Sequence, residues 1–339
     1  MIIPVLVLFV CFSILFFCDK QNQSYKRNIP ILLLITLLLA LIATFRPEDM
    51  ADRDNYISFW NDWGGERFEV GFTFISDTLR LYTHNEYWFF FVFAIISITL
   101  KISAICKITP LIWGSLLMYL SNMFILHDMI QMRCAIASGL LLHAIYYLGI
   151  NKKVKFFIVT FFAILFHYSA IVILPLVFLN IHRIRKFYFI CLILLSYFIG
   201  GVLPIETIIG YVPIEGIQSL WMMYDDTVGE DINIFNAIQL GRTCICLFLL
   251  FYIDKIFLYN KYAILLVKIY AISISIFVLL SSVPVIAFRV SELYQIVEIV
   301  LIPMLIYTIR IPLLIRRMSV EIIAMVFLLM NILYMQHLK

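Results

Sequence analysis

The sequence predicts an all-α integral membrane protein, a polytopic bundle of about twelve helical elements, and three observations carry that prediction. Hydrophobic residues make up 64% of the 339 and charged residues only 14%, where soluble domains average roughly 45–50% and 25%. Apolar runs of about 20 residues recur along the whole chain, each long enough to cross ~30 Å of hydrocarbon, and the mean hydropathy is +1.02. The basic residues also sort by type as well as by position. No polar stretch is long enough to bury a core of its own, so residues 1–339 read as one polytopic domain in a lipid bilayer. The basic residues lie in short loops beside apolar runs, which argues against a nucleic-acid surface.

Taken in order, spans read at about 2–18, 29–45, 87–106, 111–127, 129–149, 187–203, 237–253, 262–282, 291–309 and 318–335. The first has no basic start and no small-residue cleavage site, and reads as a retained span rather than a signal peptide. Phe156 to Leu179 is apolar throughout but lies between NKKVK (151–155) and HRIRK (182–186). One crossing would strand one of these basic loops outside. Two short helices meeting at His167-Tyr168-Ser169 keep both inside, as the charge rule favours. A twelve-residue helix rises only about 18 Å, so this hairpin near 156–180 is short or re-entrant, with its tip shielded by protein or water.

That reading puts the N-terminus outside. The inside set is then Lys20, Lys26, Arg27, Lys101, Lys107, Lys152, Lys153, Lys155, Arg183, Arg185, Lys186, Lys255, Lys261, Arg310, Arg316 and Arg317. The other nine basic residues are Arg46, Arg53, Arg67, Arg80, Arg133, Arg242, Arg289, Lys268 and Lys339, nearly all Arg. Arg offers a planar fork suited to phosphate, where Lys offers a point charge. The outer side therefore reads as the place for an anionic, hydrogen-bond-accepting substrate. The seven cysteines lie in or at the ends of apolar segments and read as small hydrophobes.

Two outer loops, 46–86 and 204–236, are too long to be simple connectors and are expected to carry much of the site. The first brings together Arg46, Asp52, Arg53, Tyr56, Trp60, Trp63, the turn Gly64-Gly65, Glu69 and Gly71. An interfacial helix with an aromatic belt explains the aromatics but not the density of carboxylates and Arg. The apolar setting of Glu69 is expected to raise its pKa. Asp52 and Asp54 have the spacing of a metal-binding pair, a weak pattern alone, and no metal or other cofactor is expected. Arg133 lies about one turn inside an apolar helix, where an ionisable group calls for a partner; Asp128 and Glu298 are candidates. Arg242 and Arg289 stand at comparable depth on other helices, and the three could converge on one diphosphate. His167, at the hairpin tip, is the leading histidine; His84, His127 and His143 are weaker, and His182 belongs to a basic loop.

These residues resemble the EpsG-like, Wzy-type polysaccharide polymerases of bacterial envelopes. The likeness rests on Arg46; on Asp52 followed four residues on by Tyr56; on Glu69 two residues before Gly71; on Arg133-Cys134-Ala135-Ile136-Ala137; on His167-Tyr168-Ser169; and on Arg289 with Tyr294 five residues on. It covers most of the chain, through short and degenerate motifs. It departs at Arg53, where the family often has Tyr. The resemblance implies a GT-C type membrane glycosyltransferase architecture. It implies that oligosaccharide repeat units carried on undecaprenyl diphosphate are joined, as donor and acceptor, on the outer face of the bacterial cytoplasmic (inner) membrane. The setting would be O-antigen (lipopolysaccharide) or exopolysaccharide synthesis, with a chain-length regulator and a flippase as further partners. On that reading His167, Glu69 and Asp52 serve catalysis. Arg133, Arg242, Arg289 and Arg46 bind the diphosphate, and Tyr56, Trp60, Trp63, Arg53 and Tyr294 bind sugar. A flippase for lipid-linked sugars would also need an Arg-lined cavity, but with charges reaching both faces and internal repeats. A metal-dependent transferase using a polyprenyl-phosphate sugar would rest on Asp52 and Asp54.

Overall fold

The computed structural model describes residues 2–19, 28–62, 68–202 and 232–337. Among them the fold is helical throughout, with no strand. The chain divides into two compact units, Met1–Val177 with Glu298–Lys339, and Phe178–Val297.

The first unit contains α1 (Ile2–Cys18), α2 (Ile29–Thr44), α3 (Arg53–Asn61), α4 (Val70–Arg80), α5 (Glu86–Ile108) and α6 (Ile112–Met118). A π-helical stretch, Tyr119–Ile130, continues α6 and leads to α7 (Met132–Gly149) and α8 (Lys153–Phe166). A 3-10 stretch, Tyr168–Phe178, follows. The second unit holds α9 (Lys186–Val202), α10 (Ala237–Phe257), α11 (Ala263–Leu279) and α12 (Pro284–Gln295). The chain then returns to the first unit as α13 (Glu298–Leu301), a 3-10 stretch Ile302–Tyr307, and α14 (Leu313–His337). Three differences turn the twelve expected elements into these fourteen α-helices. The outer loop 46–86 folds into α3 and α4, the expected span 291–309 breaks between α12 and α13, and the second arm of the expected hairpin is the 3-10 stretch Tyr168–Phe178 rather than an α-helix. Of the described helices, α5 and α7 are long and apolar enough to cross a membrane; α1, α2, α9 and α11 are apolar but shorter.

In the first unit α5 is central, packed between α2 and α7, while α7 packs on α8 and α4 also rests on α8. The π-helical stretch brings Asp128 into the core. Its Oδ1 accepts from Ser97 Oγ at 2.5 Å and from Lys101 Nζ at 2.8 Å; Oδ2 accepts from Lys101 Nζ at 2.7 Å and Tyr119 OH at 2.6 Å. Both charged side chains are fully buried. Lys101 is thus an interior ion-pair partner, not a member of the inside loop set. Asn331 of α14 donates to the carbonyls of Ser121 (2.8 Å) and Asn122 (3.2 Å) in the same stretch. The Asn122 amide donates to Glu298 at 2.5 Å.

In the second unit α11 packs against α9, α10 and α12. Lys268 on α11 is buried, and its Nζ donates to the carbonyls of Asn180 and Arg183, both at 2.5 Å. It therefore belongs with the basic 180–186 loop rather than with the outer set where the sequence put it.

Removing one member of a fully buried ion pair costs about 3–5 kcal/mol, because the other is left uncompensated. Asp128→Ala is expected to lower the thermal unfolding temperature of the detergent-purified protein strongly. The double variant Lys101→Met, Asp128→Leu is expected to lose clearly less than the sum of the two single changes.

Candidate functional site

Glu69 is the residue that gathers the site. It precedes α4, is 4% exposed, and each of its carboxylate oxygens has a different partner. Oε2 accepts from Arg133 Nη1 at 2.7 Å, and Oε1 lies 3.3 Å from His167 Nδ1. Three segments far apart in sequence therefore meet: the loop before α4, the first turn of α7, and the break after α8.

Local sequence places each group. α8 stops at His167, whose backbone turns extended (φ −157°, ψ 111°). This break is where the sequence put the tip of a hairpin. Arg133 is the second residue of α7, nearer the helix end than the expected full turn of depth. Its guanidinium lies 4.2 Å from the centre of the Phe68 ring and engages the Tyr56 hydroxyl. The side chain stays 27% exposed. Neither expected partner of Arg133 is used: Asp128 pairs with Lys101, and Glu298 with Asn122.

Burial alone would raise the Glu69 pKa. The His167 hydrogen bond and the Arg133 charge outweigh it and bring the carboxyl from its ordinary 4.5 down to about 2. The sequence expectation of a raised value is overturned, because the apolar surroundings come with a cation. An ionised carboxylate only accepts hydrogen bonds. His167 Nδ1 must therefore carry the proton it shares with Glu69, which leaves Nε2 as the ring's free acceptor when the imidazole is neutral.

Four expected ligand residues have other occupations. Arg46 is 5% exposed; its Nε donates to Ala43 O (2.8 Å), Nη1 to Met129 O (2.5 Å) and Nη2 to Asp128 O (3.4 Å). Its guanidinium also covers the Phe90 ring at 4.3 Å. Its fork is spent on main-chain carbonyls at the end of the π-helical stretch, not held out for a diphosphate. Arg53 pairs with Glu86 at 3.0 Å and ties α3 to the start of α5. Trp60 stacks on Phe89 with ring centres 4.9 Å apart, and its Nε1 donates to His84 O at 3.3 Å. Tyr294, in the second unit, is 3% exposed. Sugar needs an accessible face, which Arg53, Trp60 and Tyr294 do not offer. Tyr56 is equally buried but reaches the site through Arg133.

Asp52 is exposed and holds a left-handed backbone (φ 61°) at the start of α3 without capping that helix by its side chain. Asp tolerates this region better than most residues, yet it is uncommon and often marks functional loops. Asp54 is exposed on α3. Trp63 and most of the 204–236 loop lie outside the described residues. Arg242 and Arg289 lie in the second unit, on α10 and α12, which both flank α11. The Arg242 carbonyl accepts from Tyr270 OH (3.3 Å) and the Ser291 carbonyl from Ser273 Oγ (2.9 Å), so the two stand near the same level of α11.

Sequence reasoning placed Arg80 in the outer set but gave it no role. It is 4% exposed and donates to the carbonyls of Phe59 and Trp60 (3.0 Å for Trp60), the last turn of α3, and to Asp77 at 2.6 Å. Its place at the end of an amphipathic segment facing an aromatic run was the available signal.

The low pKa of Glu69 fixes a pH window. Its stabilising contribution, for a carboxyl brought from 4.5 to about 2, is fully present above 4.5 and fades as pH falls towards 2. The gap in unfolding temperature between wild type and Glu69→Gln is expected to be constant above about pH 5 and to narrow below it.

A family model described as the EpsG family matches residues 29–338. The chain is also similar to the amylovoran biosynthesis protein AmsC of Erwinia amylovora, 25% identical over 89% of this chain and 88% of that protein. No solved structure matches the chain significantly. An expected pattern of motifs and a family match over nearly the whole length agree: the chain belongs to the EpsG family.

Proposed function

We propose that this membrane protein is a polysaccharide polymerase. It would be a glycosyltransferase that joins undecaprenyl-diphosphate-linked repeat units on the outer face of the bacterial cytoplasmic membrane, with the GT-C type architecture as its expected fold. Membership of the EpsG family and a relative named for amylovoran biosynthesis support the reaction class. The observation that carries the reading is Glu69 bridging His167 and Arg133. One carboxylate there orients a base and an anion-binding fork side by side.

The acceptor hydroxyl oxygen attacks the donor's anomeric carbon, and the bond from that carbon to the diphosphate oxygen breaks. His167 Nε2 takes the hydroxyl proton, while Glu69 stays ionised and holds Nδ1–H, as a triad carboxylate holds its histidine. Arg133 bears the charge that develops on the departing undecaprenyl diphosphate, an electrostatic contribution of several kcal/mol in a dry site. Asp52, exposed at the start of α3, orients the acceptor sugar, and Trp63 is kept as a proposed sugar-binding residue. Arg242 and Arg289 are proposed phosphate ligands carried by the second unit, each to be tested by itself. The reaction is written without a metal or cofactor.

In a polymerisation assay on purified protein, His167→Ala is expected to slow turnover by about two to four orders of magnitude with substrate binding largely kept. Arg133→Lys should be nearly as damaging as Arg133→Ala, because the fork is lost though the charge remains. Full activity in His167→Ala would remove the base, and inhibition by EDTA would move the chemistry to a metal at Asp52 and Asp54.

The outward-facing site is what the charge rule implies when it keeps the basic loops 151–155 and 182–186 both inside. Single cysteines at positions 153 and 185 of a cysteine-free background are expected to resist an impermeant thiol reagent equally in intact cells. Labelling of one but not the other would overturn the hairpin topology.

A further inference from the structure

Gly71 is the second residue of α4, inside a helical turn where glycine weakens the helix relative to alanine. Its φ is not positive, so no backbone conformation calls for glycine here. Space does. A Cβ at Gly71 would stand 2.9 Å from Leu165 O, 3.2 Å from Leu165 C and 3.2 Å from Leu165 Cβ. Two of those three atoms are backbone of the last turn of α8 and cannot rotate away. α4 and α8 thus touch main chain to main chain at this point.

The contact lies beside the site on both helices. Gly71 follows Glu69 by two residues, and Leu165 precedes His167 by two. The gap between Glu69 Oε1 and His167 Nδ1 is 3.3 Å, already long for an N–H···O bond. Any side chain at position 71 must part the helices by some tenths of an ångström, and that bond has no slack to absorb it. The groups around the Glu69–His167 contact are Arg133 on α7, bonded to the other oxygen of Glu69, Tyr56 of α3 beyond Arg133, and His127 of the π-helical stretch, which interacts with His167. Glu69 alone among these is an acceptor bonded to Nδ1.

We infer that Gly71 is a positioning residue: it seats α4 directly on the end of α8 and so sets the contact by which Glu69 orients the His167 ring. The kinetic arm of the test rests on the polymerase reading with His167 as base; the spectroscopic arm does not.

The full-length protein in detergent, with histidine ring nitrogens labelled with ¹⁵N, gives the spectroscopic arm, His167 being assigned from the signals missing in His167→Ala. At a pH where His167 is neutral, the wild type is expected to carry the proton on Nδ1. Gly71→Ala and Glu69→Gln should both move His167 towards the Nε2–H tautomer and leave the other histidines unchanged. In polymerisation, Gly71→Ala should lower kcat about ten- to a hundredfold with KM changed less than about twofold. The double variant Gly71→Ala, Glu69→Gln should be no slower than Glu69→Gln alone. A wild-type His167 spectrum in Gly71→Ala, or fully multiplicative losses in the double variant, would overturn the inference. If Gly71→Ala does not fold, Glu69→Asp withdraws the carboxylate by one methylene with the α4–α8 contact intact. It should move the same His167 signals, and an unchanged spectrum there also overturns the inference. A moved His167 spectrum together with full polymerisation by His167→Ala would sink the polymerase mechanism and leave the positioning role standing.

Discussion

A charge withdrawn from water has to be matched by partners on every side, and the first unit is arranged around one such requirement. Asp128 sits fully buried, with Lys101, Ser97 and Tyr119 filling its two oxygens. A regular α-helix from Ile112 to Gly149 would give that segment a different register. The π-helical stretch Tyr119–Ile130 widens the turn instead and leaves main-chain carbonyls that other helices answer. Arg46 takes those of Asp128 and Met129, and Asn331 those of Ser121 and Asn122. Inside an apolar bundle such groups have no water to fall back on, so these contacts hold the helices in a single arrangement.

The site inherits that arrangement. α7 starts two residues after the π-helical stretch ends, so the Arg46 latch also fixes where Arg133 projects. Below it an aromatic cluster of Tyr56, Phe59, Trp60, Phe72, Phe89 and Phe93 anchors the outer-loop helices α3 and α4 against α5. Arg80 closes the end of α3 onto that cluster. Glu69 is held where these helices meet. Its carboxylate lies between Arg133 at the start of α7 and His167 at the end of α8, and its depressed pKa records the charge and hydrogen bonds it meets there.

Much of the chemistry was legible as residue types. Glu69, Arg133 and His167 each stood out as a polar group at the edge of an apolar run, and the break at His167 was readable from the two basic loops around it. Their union was not readable, since 64 and 98 residues separate Glu69 from its partners. Arg46, Arg53 and Trp60 stood out equally, yet the fold spends them on packing and on carbonyls. A sequence shows which side chains are able to bind a ligand; which of them keep a free face depends on neighbours brought from elsewhere.

The sequence by itself determined the helical class, the membrane setting and the positions of most helices, because hydrocarbon thickness and the unsatisfied backbone impose a length and an apolarity that any reader of the chain can measure. The direction of the Glu69 shift, the pairing of Lys101 with Asp128 and the place of Lys268 beside Asn180 and Arg183 were decided only by the tertiary structure. Each depends on hydrogen bonds and ion pairs made at contact, about 3 Å between heavy atoms. Distances of that size between remote segments exist only once the helices have packed.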